Sequence, residues 1–284
     1  MLNRRKLRRL AIIAARFLRY AVVRFFADRC PQVAAALSFT TILAAIPLGA
    51  VGLSLVTRLP LAPALRSEVQ HFVLANFVPE VGATVDRIVD NLTANAGKLT
   101  AFGLIGVVIP AFFATITVQR AFDQIWRVRA AGFVAVRALI LLVVLCIGPE
   151  LVGFGLLVPE YLLRLAVAGG FGPWIERFAW TLALAPPALE TIGLALVFVL
   201  LPRRRVLLRE ALSGAVVATV LLEAAKFAFA RYVAGFAQYQ AIYGALSFFP
   251  ALLLWIYLAW LAVLFGAVVA ASLSVLRGAA VSRR

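Results

Sequence analysis

Apolar residues run through this chain in blocks too long for a soluble core, and the polar positions fall between them. The clearest block is FAWTLALAPPALETIGLALVFVLL at 178–201, broken by a single carboxylate, Glu190. A helix rises about 1.5 Å per residue and the hydrocarbon core of a bilayer is about 30 Å thick, so such a block spans a membrane. The same reading gives six spanning segments, at about 32–57, 99–120, 134–160, 178–201, 210–234 and 243–275. Residues 7–29 have a different pattern. Basic and apolar residues alternate at helical spacing, with Leu7, Leu10, Phe17, Leu18, Val22 and Phe25 on the apolar side. This predicts an amphipathic helix on the cytoplasmic leaflet with its Arg side chains near lipid phosphates. Across 58–98, apolar residues from Val69 to Leu92 recur three and four apart, divided by Pro79. That segment reads as one or two amphipathic helices on the outer face, or as a helical hairpin packed on the bundle.

Composition agrees with this pattern. The chain has 284 residues, is 64% hydrophobic and only 14% charged, and has a mean hydropathy of +1.01. A soluble domain carries about 25% charged residues, so most of this chain belongs in lipid. The expected fold is all-α: a single polytopic membrane domain over 1–284. Residues 1–31 form its cytoplasmic N-terminus, 32–275 the six-helix bundle and 276–284 a cytoplasmic tail. The net charge of +16 would also suit a nucleic-acid binder. The distribution of the charge argues otherwise. Of 28 Lys and Arg, 20 fall on the side of the termini and 7 on the other, with Lys226 inside a span. The positive-inside rule then places both termini in the cytoplasm, and the loops there are too short for a shaped nucleic-acid-binding domain. Arg16, Arg19 and Arg24 interrupt any cleavable signal. With one His, His71, a multi-histidine metal site is excluded. No phosphate-binding Gly-rich loop occurs. Neither enzyme chemistry nor a cofactor is expected.

Candidate functional residues are the charges inside spans. Glu150, Glu190, Glu223 and Lys226 are the substrate- or ion-path candidates, because ionisable groups in lipid are costly and mark function by default. Glu223 and Lys226 are three apart and can pair on one helix face, which by itself could be structural. Glu150 and Glu190 have no partner in their own helices, so they pair across helices, face water or hold a proton. Prolines mark every predicted span but the fifth: Pro47, Pro110, Pro149, Pro186, Pro187 and Pro250. Each frees a carbonyl, so they read as helix breaks lining a polar site, or as ordinary kinks. The polar site would lie between the third, fourth and fifth spans. Ser38, Thr40, Thr41, Thr115 and Thr117 read as interhelical hydrogen-bonding residues. Asp123 to Arg127 reads as an interfacial anchor. Arg120, Arg127 and Arg129 are candidates for contact with anionic headgroups, and Arg203 to Arg205 read first as topology determinants.

Three stretches carry a family resemblance: ALSFTTILAAIP at 36–47, QRAFDQIWRVR at 119–129 and YGALSFFPALLLWIYLAWLAVLFGA at 243–267. They resemble the YihY/BrkB family of bacterial inner-membrane proteins, over about 20–275. The resemblance implies six spans, an inner-membrane location and a role in the envelope, with lipid or glycolipid export among the proposals. It does not imply a nuclease: the ribonuclease label once given to such proteins has no His and Asp ligand set here to support it. Members commonly carry an acidic residue after the late glycine of the last helix. Here Gly266 is followed by Ala267 and Val268. The expectation is therefore a transporter or translocator of lipid or envelope precursors that does not use ATP. The alternatives are an ion-coupled small-solute transporter and a structural or assembly protein. The partners expected are membrane lipids and no nucleic acid.

Overall fold

The computed structural model describes residues 4–56, 101–128, 172–204, 206–234 and 248–281. Among these the regular elements are helices: α1 (Arg4–Ala27), α2 (Cys30–Val56), α3 (Ala101–Trp126), α4 (Gly172–Leu200), α5 (Leu208–Ala234) and α6 (Phe248–Val281). There is no strand among the described residues. Leu208–Tyr232 of α5 and Pro250–Val275 of α6 are each long and apolar enough to cross a membrane. Helices α2 to α6 coincide with the first, second, fourth, fifth and sixth predicted spans. The expectations for 58–98 and for the third span at 134–160 lie outside the described residues. Helix α3 continues past its predicted end to Trp126, so the Asp123–Arg127 segment is its last turn and cap, and Trp126, expected at the interface, is buried in the core instead.

Helix α6 is the centre of the bundle. It packs on α5 along the longest seam and also touches α1, α2, α3 and α4. Small residues make that seam: Ala211, Gly214, Ala215 and Ala218 on α5 face Ala262, Gly266, Ala267 and Ala270 on α6, all buried. A Cβ added at Gly214 would collide with the Gly266 carbonyl oxygen, and the converse is true at Gly266. Only glycine lets the two backbones approach this closely, which in lipid replaces a hydrophobic driving force with dense packing. A second packing centre is aromatic. Phe122 and Trp126 of α3 stack 5.5 Å apart, and Phe198 of α4 lies 6.1 Å and 6.3 Å from them. Phe25 of α1 meets the Phe265 ring edge-on at 5.5 Å.

The hydroxyls read as interhelical bonding residues behave differently from the expectation. Ser38 donates to the Ala34 carbonyl at 2.7 Å, Thr117 to Phe113 at 2.8 Å, and Thr40 to Ala36 and Leu37 at 3.0 Å, each within its own helix. Turning back onto the preceding turn satisfies a hydroxyl without a partner helix. Thr41 does both: it donates to the Leu37 carbonyl and accepts from Trp260 Nε1 of α6 at 3.0 Å.

One end of the bundle is tied by charges. There α1 meets α2 and α3 finishes, α4 passes into α5, and α6 ends. Arg24 of α1 is 5% exposed and points inward. Its Nη2 donates to the Ile125 carbonyl at 2.6 Å, Nη1 to Ser272 Oγ at 3.1 Å and Nε to Asp28 at 3.3 Å. The expectation that this Arg faces lipid phosphates is therefore wrong. Arg24 shares the α1 face of Ala21 and Phe25, which packs on the bundle, whereas Arg16 and Arg19 stay exposed beside Ile12, Val23 and Phe26. Arg203 pairs with Asp123 at 3.5 Å and Arg277 with Glu210 at 3.7 Å. Helix α3 closes with its Arg127 amide bonded to Gln124 and its Val128 amide to Asp123. Arg127 has φ 52°, the left-handed conformation that such a helix end requires.

Candidate functional site

The contacts above set helix directions. Glu210 lies against Arg277 and Phe229 against Trp255, so α5 and α6 run antiparallel. Thr191 meets Thr219 and Glu190 meets Lys226, so α4 and α5 run antiparallel too. On α5, Thr219, Glu223 and Lys226 are spaced four and three apart and form one polar stripe on an apolar helix. On α4, Glu190 and Thr191 meet that stripe, one turn beyond the Pro186-Pro187 pair.

Lys226 Nζ sits between two carboxylates, 3.2 Å from Glu190 Oε2 and 2.8 Å from Glu223 Oε1. Of the three ways sequence left open for Glu190, the structure shows the cross-helix pair. The expected pairing of Glu223 with Lys226 is also present. Just below, the Thr191 hydroxyl donates to the Pro187 carbonyl at 2.7 Å and is bonded to the Thr219 hydroxyl at 2.9 Å. Exposure rises along the stripe. Thr219 is buried, the Glu190 side chain is 16% exposed, and Lys226 and Glu223 are 40% and 44% exposed. The cluster thus opens on one side and closes on the other. Glu190 is ten residues from the end of α4, about 15 Å along the axis at about 1.5 Å per residue.

The other candidates are dispersed. Glu150, Pro149 and Arg129 lie outside the described residues. Pro47, Pro110 and the Pro186-Pro187 pair lie within α2, α3 and α4, and each helix continues through them. Pro250 is in the first turn of α6, where a missing amide leaves no carbonyl unpaired. It lines, with Leu253, Leu254 and Tyr257, an apolar hollow of about 440 Å³ rather than a polar site. Arg120 is exposed. Arg127 is 67% exposed and reaches Asp28 at 3.6 Å. Arg203, read first as a topology determinant, also forms the Asp123 pair. Among the described residues no group of His, Cys, Asp and Glu could hold a metal ion.

Sequence reasoning missed the Arg24 network and the Thr191–Thr219 bridge. A signal for the first was present: Arg24 falls three residues after Ala21 and seven after Phe17, on the apolar face, with Asp28 at the salt-bridge spacing of four. For the threonines there was none, because the partners are 28 residues apart on different helices.

A family profile described as Virulence factor BrkB matches residues 21–283, beginning where α1 turns its side chains into the bundle. A UPF0761 membrane protein of Pseudomonas aeruginosa (strain LESB58) is 39% identical over 259 residues, 91% of this chain and 62% of its own length. A UPF0761 membrane protein of Xanthomonas campestris pv. campestris (strain B100) is 36% identical over 264 residues, 93% of this chain and 62% of its own. One from Xanthomonas axonopodis pv. citri (strain 306) is 36% identical over 262 residues. The chain spans 62% of the length of these curated relatives. No solved structure matches it. With the profile covering nearly the whole chain, and with helices fit to cross a membrane, this chain belongs to the BrkB family of membrane proteins.

Proposed function

We propose that this protein is a transporter or translocator of the bacterial inner membrane that moves lipid or envelope precursors without ATP and without covalent chemistry. The observation that carries the reading is the Glu190–Lys226–Glu223 cluster, three ionisable groups joined across α4 and α5 among apolar helices. An ion cluster at that place is weak as a source of stability, since desolvation offsets most of the attraction, so its presence favours a role in a path. Six spans with both termini in the cytoplasm fit the helix directions: α3 and α4 finish at the same end, as that count requires of the second and fourth spans. The same end holds Arg24, Arg127, Arg203 and Arg277, in line with the positive-inside count. The exposed Arg120 and Arg127 there are suited to anionic headgroups of the cytoplasmic leaflet.

The test is lipid movement in proteoliposomes, comparing wild type with Glu190→Gln and Glu223→Gln and using fluorescent anionic and zwitterionic lipids. Movement that depends on the headgroup and is lost in the folded variants is the expected result. Rates equal to those of empty liposomes, with or without a pH gradient, would remove the translocator reading. A soluble cargo or a structural role would then take its place.

A further inference from the structure

The charged groups of the described residues differ in how they balance. Asp28 has Arg24 and Arg127, Asp123 has Arg203, and Glu210 has Arg277. Each of these acids has a basic partner of its own. Glu190 and Glu223 share one, Lys226. No other described charge makes up the difference. Helix α4 offers Glu190 itself. Helix α6 offers Tyr257, near the height of Lys226 by the register of Gly214 on Gly266 and Phe229 on Trp255. On α5, Arg231 lies five residues on, but its guanidinium rests over the Phe227 ring at 5.0 Å; Tyr232 follows it.

With all three groups ionised the cluster carries one negative charge, among helices whose neighbouring outward residues are Leu189, Ile192, Val220 and Phe227. An uncompensated charge in such surroundings is far more costly than a compensated one. The compensation must be small, because Lys226 already fills the space between the carboxylates. It must enter from the side where Glu223 is nearly half exposed, since Thr191 and Thr219 close the other.

We infer that the Glu190–Lys226–Glu223 cluster is a binding site for one monovalent cationic charge, taken up at the half-open Glu223 and held on the carboxylates beside Lys226. Two sources share that chemistry: a proton from water, or a small cation such as sodium or a primary ammonium group. The inference deepens the transport reading by supplying its coupling or cargo charge, and it sets the site against anionic headgroups, which would double the deficit. The proton, where it is the source, belongs to the carboxylate pair as a unit.

The experiment is infrared spectroscopy of the full chain in nanodiscs, for wild type, Glu190→Gln, Glu223→Gln and Lys226→Met. Each protein is titrated with acid, with sodium chloride and with methylammonium chloride. Each Gln variant keeps a balanced Lys–Glu pair, so each is expected to fold; helical circular dichroism checks this. A protonated-carboxyl band present at neutral pH in wild type and lost from both Gln variants would identify a proton. No such band, but a carboxylate band shifted by sodium or methylammonium in wild type alone, would identify a small cation. Lys226→Met should roughly double whichever response is seen. A protonated-carboxyl band that survives both Gln substitutions, or cation responses equal in all four proteins, would overturn the inference. Spectra as expected with no lipid movement would remove the translocator and leave the cation site; lipid movement with unresponsive spectra would do the reverse.

Discussion

The molecule holds two charged clusters built on opposite plans. The Arg24 network is buried, pairs one guanidinium with one carboxylate at its core, with Arg127 added at the exposed rim, and joins three helices through that guanidinium. The Glu190–Lys226–Glu223 cluster is half open, carries one acid too many and joins two helices through one ammonium. The planar guanidinium presents several donors in fixed directions and stays charged at any relevant pH, so it suits a permanent clamp. An ammonium is a compact point charge on a flexible stem, able to shift between two acceptors as one of them is neutralised. The difference teaches how to sort charges in a membrane bundle. A paired charge with each of its nitrogens bonded holds structure, whereas a mismatched one with access to one side is placed to exchange something.

The largest effect should come from breaking the clamp. Arg24→Met leaves Asp28 with only the exposed Arg127 and strips the Ile125 carbonyl and Ser272 of their donor. Removing one partner of a buried ion pair costs about 3–5 kcal/mol. The midpoint of thermal unfolding in detergent should fall steeply, and Arg24→Lys should not restore it, because one ammonium cannot reach α3, α6 and Asp28 together. A variant melting like wild type would show that the clamp is not what joins these helices.

Next is Lys226→Met, which leaves two carboxylates facing each other. Its cost should be about 1–3 kcal/mol, below that of Arg24→Met because the cluster is partly open to solvent. Adding Glu223→Gln should recover part of the loss, since it removes the repulsion. An equal loss in the single and double variants would mean that Lys226 acts through packing rather than charge.

The seam between the clusters gives a third test. Gly266→Ala should destabilise by about 1–3 kcal/mol, the usual range for overpacking, because its Cβ meets the Gly214 carbonyl and Ala218. Gly193 on α4 is the control, with nothing within 4 Å of an added Cβ. Gly193→Ala should be neutral, or stabilising by up to about 1 kcal/mol through helix propensity.

These contrasts also explain what could be read in advance. Five helices were legible because a long apolar block in lipid has few alternatives to a helix. The Glu223–Lys226 pair was legible because three residues on a helix is a local distance. The need of Glu190 for a cross-helix partner was legible from charge alone, but the partner's identity was not, since Lys226 is 36 residues away and helix rotation decides who meets whom. Arg24 was misread for the same reason. Its acceptors lie 101 and 248 residues further on, and a basic residue near a terminus resembles a lipid anchor until those acceptors are placed beside it. The prolines, read as helix breaks or as ordinary kinks, interrupt none of the described helices. In lipid a proline can sit inside a continuous helix when hydroxyls and neighbouring helices take up the unpaired groups.

The smallest expected effect, at Arg127, is the sharpest check on the comparison. Asp28 has two basic neighbours: Arg24 at 3.3 Å, almost wholly buried, and Arg127 at 3.6 Å, two-thirds exposed. If burial decides which pair matters, Arg127→Ala should cost less than about 1 kcal/mol and the cost should shrink in high salt. The Asp28 carboxylate would still be matched by Arg24, and Gln124 would still donate to the Asp28 carbonyl at 2.7 Å. The left-handed backbone at Arg127 would be kept, at a small cost for alanine there. Arg127→Gly relieves that strain and so separates backbone from charge. A loss as large as that of Arg24→Met, unrelieved in Arg127→Gly, would mean that the clamp depends on the exposed arginine. The distinction between a closed, matched cluster and an open, mismatched one would then fail at its first member.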